Sequence, residues 1–304
     1  MGTPDRMTSV AQTRPNDGLI VPASKSTVKN HHVAFRCWES SHIPGLKFIE
    51  TSEHNVAYGS HLHEFMEIIW VRQGSCDIIS RGCRCTVRCG DVIIIPPNEV
   101  HAGGSPGVDF SFTTLQIPRV LLVTLFGPNY AQDFYTLKIA PVLLMRGRAA
   151  ETHYQNLICN LPNTSSVEDQ LTCLKDVLGR LFQIKQTAGL PGMSAMECHP
   201  AVTRVKSIIN AGFADTVDFR ILGSEVNLHQ RYLISLFKAI TGIPPHQYQI
   251  ALRVEHGRCL LDSDQSLSSV ASNSGFSDQS HFNRHFKRVY SLTPGMFRHQ
   301  TVSM

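Results

Sequence analysis

The sequence predicts a two-domain α+β protein: an N-terminal β-barrel with a helical extension, followed by an all-α C-terminal domain. Three observations carry that prediction. The 304 residues exceed what one hydrophobic core organises. The hydrophobic pattern changes along the chain, from short β-branched runs before Pro118 to three- and four-residue spacing beyond it. The last third of the chain repeats itself at an offset of 48 to 49 residues.

Residues 1–30 mix Pro, Ser, Thr and Asn and read as a flexible arm, with no basic end followed by an apolar core, so a cytoplasmic location is expected. From about Phe35 to Ile117, runs such as Glu67–Val71, Asp77–Ser80 and Asp91–Ile95 are separated by Gly74, Gly82, Gly90 and the Pro96-Pro97 pair. Many short strands at that spacing mean a sandwich or a barrel. Ser166 can cap a helix in which Val167, Leu171, Leu174, Leu178, Leu181 and Phe182 form one apolar stripe, packed on the barrel or paired with a second copy of itself. Gly189, Pro191, Gly192 and Pro200 mark residues 187–200 as a linker, which divides a 31–186 domain from a 201–304 domain.

Composition removes several classes. A hydrophobic content of 42% excludes a disordered chain. Apolar runs such as Val92–Ile95 and Val120–Val123 are four residues long, against about 20 for a membrane-spanning helix, so no membrane partner is expected. Nine cysteines, an odd number spread from Cys37 to Cys259, read as reduced thiols. Residues 1–199 carry 17 basic and 17 acidic side chains, whereas residues 200–304 carry 11 and 7, which places the whole net charge of +4 in the last third and suits a polyanion partner.

The repeat is specific. Leu222–Leu228, Phe237-Lys238, Gly242, Pro245 and Tyr248 recur as Val270–Phe276, Phe286-Lys287, Ser291, Pro294 and Phe297. Each copy reads as a helix, a tight turn at Asn227 or Gly275, and a second helix, which is helix-turn-helix syntax. In the second helices Leu233, Leu236 and Phe237, or Phe282 and Phe286, face the core. Gln230, Arg231, Ser235 and Lys238 then point outward in the first copy, as do Gln279, Ser280, Asn283, Arg284 and Lys287 in the second. Gln, Asn and Arg match base edges in a major groove, while Lys and Ser more often hold phosphates, so the expected partner is double-stranded DNA. Pro245 to Leu261, with Tyr248, Leu252 and Cys259 near one face, spans 17 residues and as a helix about 25 Å. With its flanking turns it can set two reading helices about 34 Å apart, one turn of duplex.

On these residues the segment from about Val205 to Arg298 resembles the DNA-binding domain of AraC/XylS-type bacterial transcription regulators. The second copy carries the resemblance: Val270-Ala271, Gly275 to Ser280, Phe282, Arg284, Phe286-Lys287-Arg288, Thr293-Pro294 and Arg298. Ser291 stands at a usual glycine, Gly223 at a usual alanine, His229 at a usual serine cap and Ser235 at a frequent arginine. The resemblance implies a sequence-specific regulator, an activator, that works with RNA polymerase and forms a homodimer through the barrel domain or the 166–185 helix.

Upstream, His61-Leu62-His63, Glu67, Gly74, Gly90, Pro96 and His101 resemble the two motifs of cupin barrels. Strand alternation puts His61 and His63 on one face with Glu67 an even number further on. If His101 returns on a neighbouring strand, three imidazoles and a carboxylate converge inside the barrel. Three readings are open: a divalent transition-metal site, the polar lining of a pocket for a small-molecule effector such as a sugar or amino acid, or structural histidines. No cofactor is required for the DNA-binding reading. Trp70 is assigned to barrel packing. Cys83, Cys85 and Cys89, with Cys76 nearby, read as half-buried hairpin thiols, with zinc or redox chemistry as the alternative.

No Walker-type phosphate loop, G-x-S-x-G elbow or H-E-x-x-H motif is present, so no catalytic residue is assigned. The expectation is an effector-controlled DNA-binding regulator rather than an enzyme. The alternatives are a metal-dependent cupin dioxygenase or isomerase with a degenerate helical tail, and a DNA-binding module whose barrel merely dimerises.

Overall fold

A computed structural model describes residues 34–302 apart from 41, 55–56, 105–108, 128–142, 146–150, 153, 157–160, 162–165 and 185–198. The arm expected over 1–30 and nearly all of the 187–200 linker lie outside the described residues. No helix among the described residues is long and apolar enough to cross a membrane.

Among the described residues, ten antiparallel strands form two sheets. They are β1 (Ala34–Glu39), β2 (Lys47–His54), β3 (Ala57–His61), β4 (Met66–Gln73), β5 (Ser75–Ser80), β6 (Cys83–Arg88), β7 (Val92–Ile95), β8 (His101–Gly104), β9 (Asp109–Ile117) and β10 (Leu143–Met145). One sheet runs β1-β2-β9-β4-β7-β10 and the other β3-β8-β5-β6. The β5–β6 hairpin turns through Arg81 and Gly82, both at positive φ (49° and 76°), the pairing that matches the twist of a two-residue hairpin.

The larger sheet is buried on two faces, which explains the unbroken apolar run of β7. Val92 and Ile94 join Met66, Ile68, Leu115 and Ile117 beneath helices α1 (Arg119–Phe126) and α2 (Val167–Ile184). Ile93 and Ile95 face the other way, with Val71, Ile78 and Phe110, into the space between the sheets. Ser166 caps α2 as expected, its Oγ accepting from the Asp169 N–H at 3.1 Å. Leu174 and Leu178 are fully buried, but Val167 is 46% exposed, because the packed stripe begins a turn later, at Leu171. Trp70 packs on this outer core beside Tyr154, as expected.

The C-terminal domain comprises α3 (Pro200–Ala211), α4 (Phe219–Glu225), α5 (Gln230–Thr241), α6 (Pro245–Leu260), α7 (Leu267–Asn273), α8 (Gln279–Tyr290) and α9 (Pro294–Val302). Each repeat has its own core, one around Leu233 and Phe237, the other around Phe282 and Phe286. The turns adopt the left-handed backbone expected of them, with Asn227 at φ 55° and Gly275 at φ 79°. The departures from the family pattern are accommodated locally. His229 caps α5 through Nδ1, which accepts from the Arg231 N–H at 3.3 Å, and Ser291 takes the left-handed position that closes α8 at φ 59°. At Gly223 a Cβ would lie 2.6 Å from the Leu228 carbonyl oxygen, so in this chain the turn leaves no room for alanine.

Helix α6 joins the repeats and differs from its expected pattern. Cys259, placed on the packed face from sequence, is exposed, whereas Tyr248, Gln249, Ala251, Val254, Glu255 and Gly257 are buried. A helix wedged between two cores is covered around most of its circumference and shows little amphipathic periodicity. From it Gln249 and Arg253 donate to the carbonyls of Phe213 and Asp215, which ties the first repeat to the linking helix.

Candidate functional site

Sheet pairing brings the predicted cluster together. His61 and His101 lie opposite each other in the β3–β8 register, His63 follows two residues after β3, and Glu67 projects from β4 in the facing sheet. The ring centroids of His61 and His101 are 4.1 Å apart and those of His63 and His101 5.0 Å apart. Nitrogens of the three imidazoles lie within 4.8 Å of one another. Glu67 Oε2 sits 3.2 Å from His63 Nε2 and 3.8 Å from His101 Nε2, and Gln116 donates to the other Glu67 oxygen at 3.1 Å.

Every ring is oriented from behind by a backbone carbonyl. Nδ1 of His61 contacts Gly59 O at 2.8 Å, that of His63 contacts Phe65 O at 2.8 Å, and that of His101 contacts Glu99 O at 3.0 Å. Donation to a carbonyl fixes the Nδ1–H tautomer and leaves Nε2 for the pocket. Burial, followed by the neighbouring imidazoles, holds His61 and His101 below the usual histidine range, so both are neutral acceptors. His63 behaves oppositely: burial works against its charge, but the pull of Glu67 outweighs it and raises the pKa. Burial likewise works against the Glu67 carboxylate, yet His63, with His101 and His61 behind it, brings Glu67 down to about 2. The His63 Nε2 is buried and has no well-aligned hydrogen-bond partner.

This cluster forms the polar end of a cavity of about 190 Å³ between the sheets. Ile69, Val71, Ile78, Ile93, Phe110 and Phe112 give the cavity an apolar stretch of wall, and Lys47, Thr51, Thr114 and Asp262 add polar groups elsewhere along it. The cavity also has a wall that the sequence did not indicate: Arg258, Tyr290, Leu292 and Phe297 of the helical domain. Tyr290 donates to Glu255 Oε2 at 3.0 Å, and Arg258 forms two 2.8 Å hydrogen bonds to the same carboxylate. The Arg258 guanidinium lies 5.5 Å from the Phe65 ring, which is stacked on His63 at 3.9 Å. At Gly59 a Cβ would come within 2.6 Å of the Arg288 carbonyl, so β3 abuts the last turn of α8 directly.

Cys83 and Cys85 share a face of β6 and are half-buried, Cys89 is exposed and Cys76 is buried. Among the described residues the three-histidine group is the cluster with metal-ligand spacing, and the thiols do not form one.

The second candidate surface is the pair of reading helices. Arg231, Ser235 and Lys238 on α5 are exposed and Gln230 is half-exposed. On α8, Gln279, Ser280, Arg284 and Lys287 are exposed. Asn283 differs from expectation: it is half-buried and its side-chain oxygen is fully covered, because its position is one turn from the packed Phe282–Phe286 face. Asp278 caps α8 by accepting from the His281 N–H at 2.7 Å. His285 is held down to about 4 by burial and the adjacent His281, Arg288, Arg284 and His246, so it adds no charge to that face near neutrality.

Both domains have counterparts among known proteins. Residues 43–178 match the family model of the AraC-like ligand binding domain, and residues 222–300 match that of a helix-turn-helix domain. The chain carries the two domains of an AraC-type transcription regulator. Among its curated relatives is the HTH-type transcriptional activator RhaS of Pectobacterium carotovorum, 24% identical over 265 residues, 84% of this chain and 92% of RhaS. The MmsAB operon regulatory protein of Pseudomonas aeruginosa is 38% identical over 78 residues, 25% of each chain. Among solved structures, fatty-acid-bound ToxT from Vibrio cholerae has the same fold, with a TM-score of 0.57 at 13% identity, covering 89% of this chain and 97% of that one. The two-domain architecture and the effector-binding and DNA-binding functions read from the sequence therefore hold.

Proposed function

We propose that this regulator is a cytoplasmic homodimeric activator that recruits RNA polymerase, and that its barrel has no catalytic role. The observation that supports the reading is the placement of the pocket. One wall is the sensor barrel and the other belongs to the domain whose α5 and α8 present the polar faces. A ligand seated there touches both, and any difference in its affinity for two arrangements of the domains becomes control of DNA binding. The relatives named as activators support the sign of regulation.

The effector has an apolar body for the Ile and Phe wall and one end that donates hydrogen bonds or carries positive charge, because His61, His101 and Glu67 offer acceptors there. A divalent transition-metal ion fits the same residues. The three imidazoles are pinned through Nδ1, and the buried His63 Nε2 has no aligned partner. When bound, such an ion would supply a positive centre for a ligand's oxygen or nitrogen. The same cluster supports the competing reading of a cupin-type enzyme. Operator binding and regulation retained by metal-free His63→Ala would dispose of that account.

DNA reading is tested on α8. Arg284→Ala is expected to lose discrimination at one base position, about 1–3 kcal/mol, while Lys287→Ala weakens all duplexes alike and reduces the salt slope by about one. Binding isotherms against specific and random duplexes at several salt concentrations give both quantities. Equal loss on the two duplexes for Arg284→Ala contradicts its assignment as a reader.

A further inference from the structure

Leu62 stands between His61 and His63, and Val100 precedes His101, yet neither lines the pocket. Leu62 is 0% exposed and Val100 5%, and both are buried in the cluster that contains Val202, Val205, Leu233 and Phe237. The two short segments that present the imidazoles therefore send their intervening side chains into the core of the first helix-turn-helix unit. A second connection runs beside them. The Glu99 backbone carbonyl holds His101, while its carboxylate accepts from Ser80 at 2.7 Å and from Arg81 at 2.9 and 2.8 Å. The Arg81 backbone lies against Gly242, the residue that closes α5, where a Cβ would be 3.1 Å from the Arg81 Cα.

We propose that Leu62 and Val100 are positioning residues that transmit the state of the barrel pocket to the first DNA-reading helix. The proposal rests on the reading of this pocket as the effector site. A close-packed core does not absorb a displaced side chain without cost. A cation or hydrogen-bond donor that draws His61, His63 and His101 together shifts the backbone carrying Leu62 and Val100, and one seating of α5 is then favoured over another. Linkage makes the effect reciprocal: DNA that prefers that seating tightens the pocket's hold on its ligand.

The test uses the full chain and perturbs the pocket in two independent ways, by adding Zn²⁺ and by His101→Ala. Two readouts are followed: amide hydrogen exchange across Gln230–Thr241, and affinity for a duplex selected by the wild-type chain from a random pool. Each perturbation is expected to change exchange in α5 and to shift duplex affinity about 5-fold or more. In the Leu62→Val/Val100→Ala chain the same perturbations should shift affinity by less than about twofold. A merely structural role would lower stability but leave that ratio as in wild type. Leu62→Met, which keeps the volume and alters the shape, serves if the double variant does not fold. Unchanged α5 exchange under both perturbations overturns the proposal, as does an undiminished ratio in the variants. Should Zn²⁺ fail to bind while His101→Ala still alters α5, the metal assignment falls and this proposal stands. Zn²⁺ binding at the cluster with α5 unaffected by either perturbation has the opposite meaning.

Discussion

Glu255→Ala is expected to destabilise the C-terminal domain by about 3–5 kcal/mol, because it leaves the Arg258 guanidinium buried without its counter-charge. The Glu255 side chain is 7% exposed and that of Arg258 16%. The carboxylate takes both Arg258 hydrogen bonds and that of Tyr290, so its removal strands three donors at once. Against a typical domain stability of about 5–15 kcal/mol the loss is a large fraction. Urea unfolding followed by circular dichroism measures it. The double variant Glu255→Leu/Arg258→Met should recover most of the loss, since replacing both buried charges by apolar groups of similar size is often neutral. A single variant as stable as wild type would show the pair to be solvated. Arg258, which Glu255 holds, forms part of the pocket wall, so the variant is also expected to disturb ligand binding from the DNA-reading side.

Gly275→Ala is expected to cost about 3 kcal/mol and to abolish reading by the second unit. Two terms contribute. A non-glycine residue at φ 79° pays about 1–2 kcal/mol. In addition, the new Cβ would lie 2.6 Å from the Ala214 Cα and 2.7 Å from its carbonyl oxygen. Those are backbone atoms held by Arg253, so they do not yield cheaply. Asn227→Ala at the corresponding turn provides the comparison, because the strain there, at φ 55°, is already borne by a side chain and the expected cost is about 1 kcal/mol. Equal thermal shifts for the two variants would mean that crowding against Ala214 contributes nothing.

Much of this was legible in the sequence, for identifiable reasons. The repeat exposed the helical domain because each copy must build the same small core and the same left-handed turn. The histidines announced their pocket through the His-x-His pair and the following Glu, but by a different route from the strand alternation expected: His61 ends β3, His63 lies just beyond it, Glu67 comes from β4 of the facing sheet, and the β3–β8 pairing returns His101. What was not legible depends on how the two domains meet. Tyr290 and Phe297 have the pattern of ordinary core residues of the second repeat, and nothing in their spacing says that they also close a cavity in another domain. Helix α6 hid its buried Glu255–Arg258 pair because a helix packed on nearly all sides loses the periodicity that would reveal a face. Leu62 carried one weak signal, an apolar residue between two pocket histidines, whose partner could be found only in three dimensions.

The central claim is that two repeated reading helices dock in successive major grooves of one duplex. Selection of bound duplexes from a random pool by the full chain at moderate salt tests it most directly. The account predicts recovered sequences with two preferred elements centred about one helical turn apart, with the element read by α8 relaxed at one position in Arg284→Ala. Recovery of no sequence preferred over a scrambled competitor would contradict it.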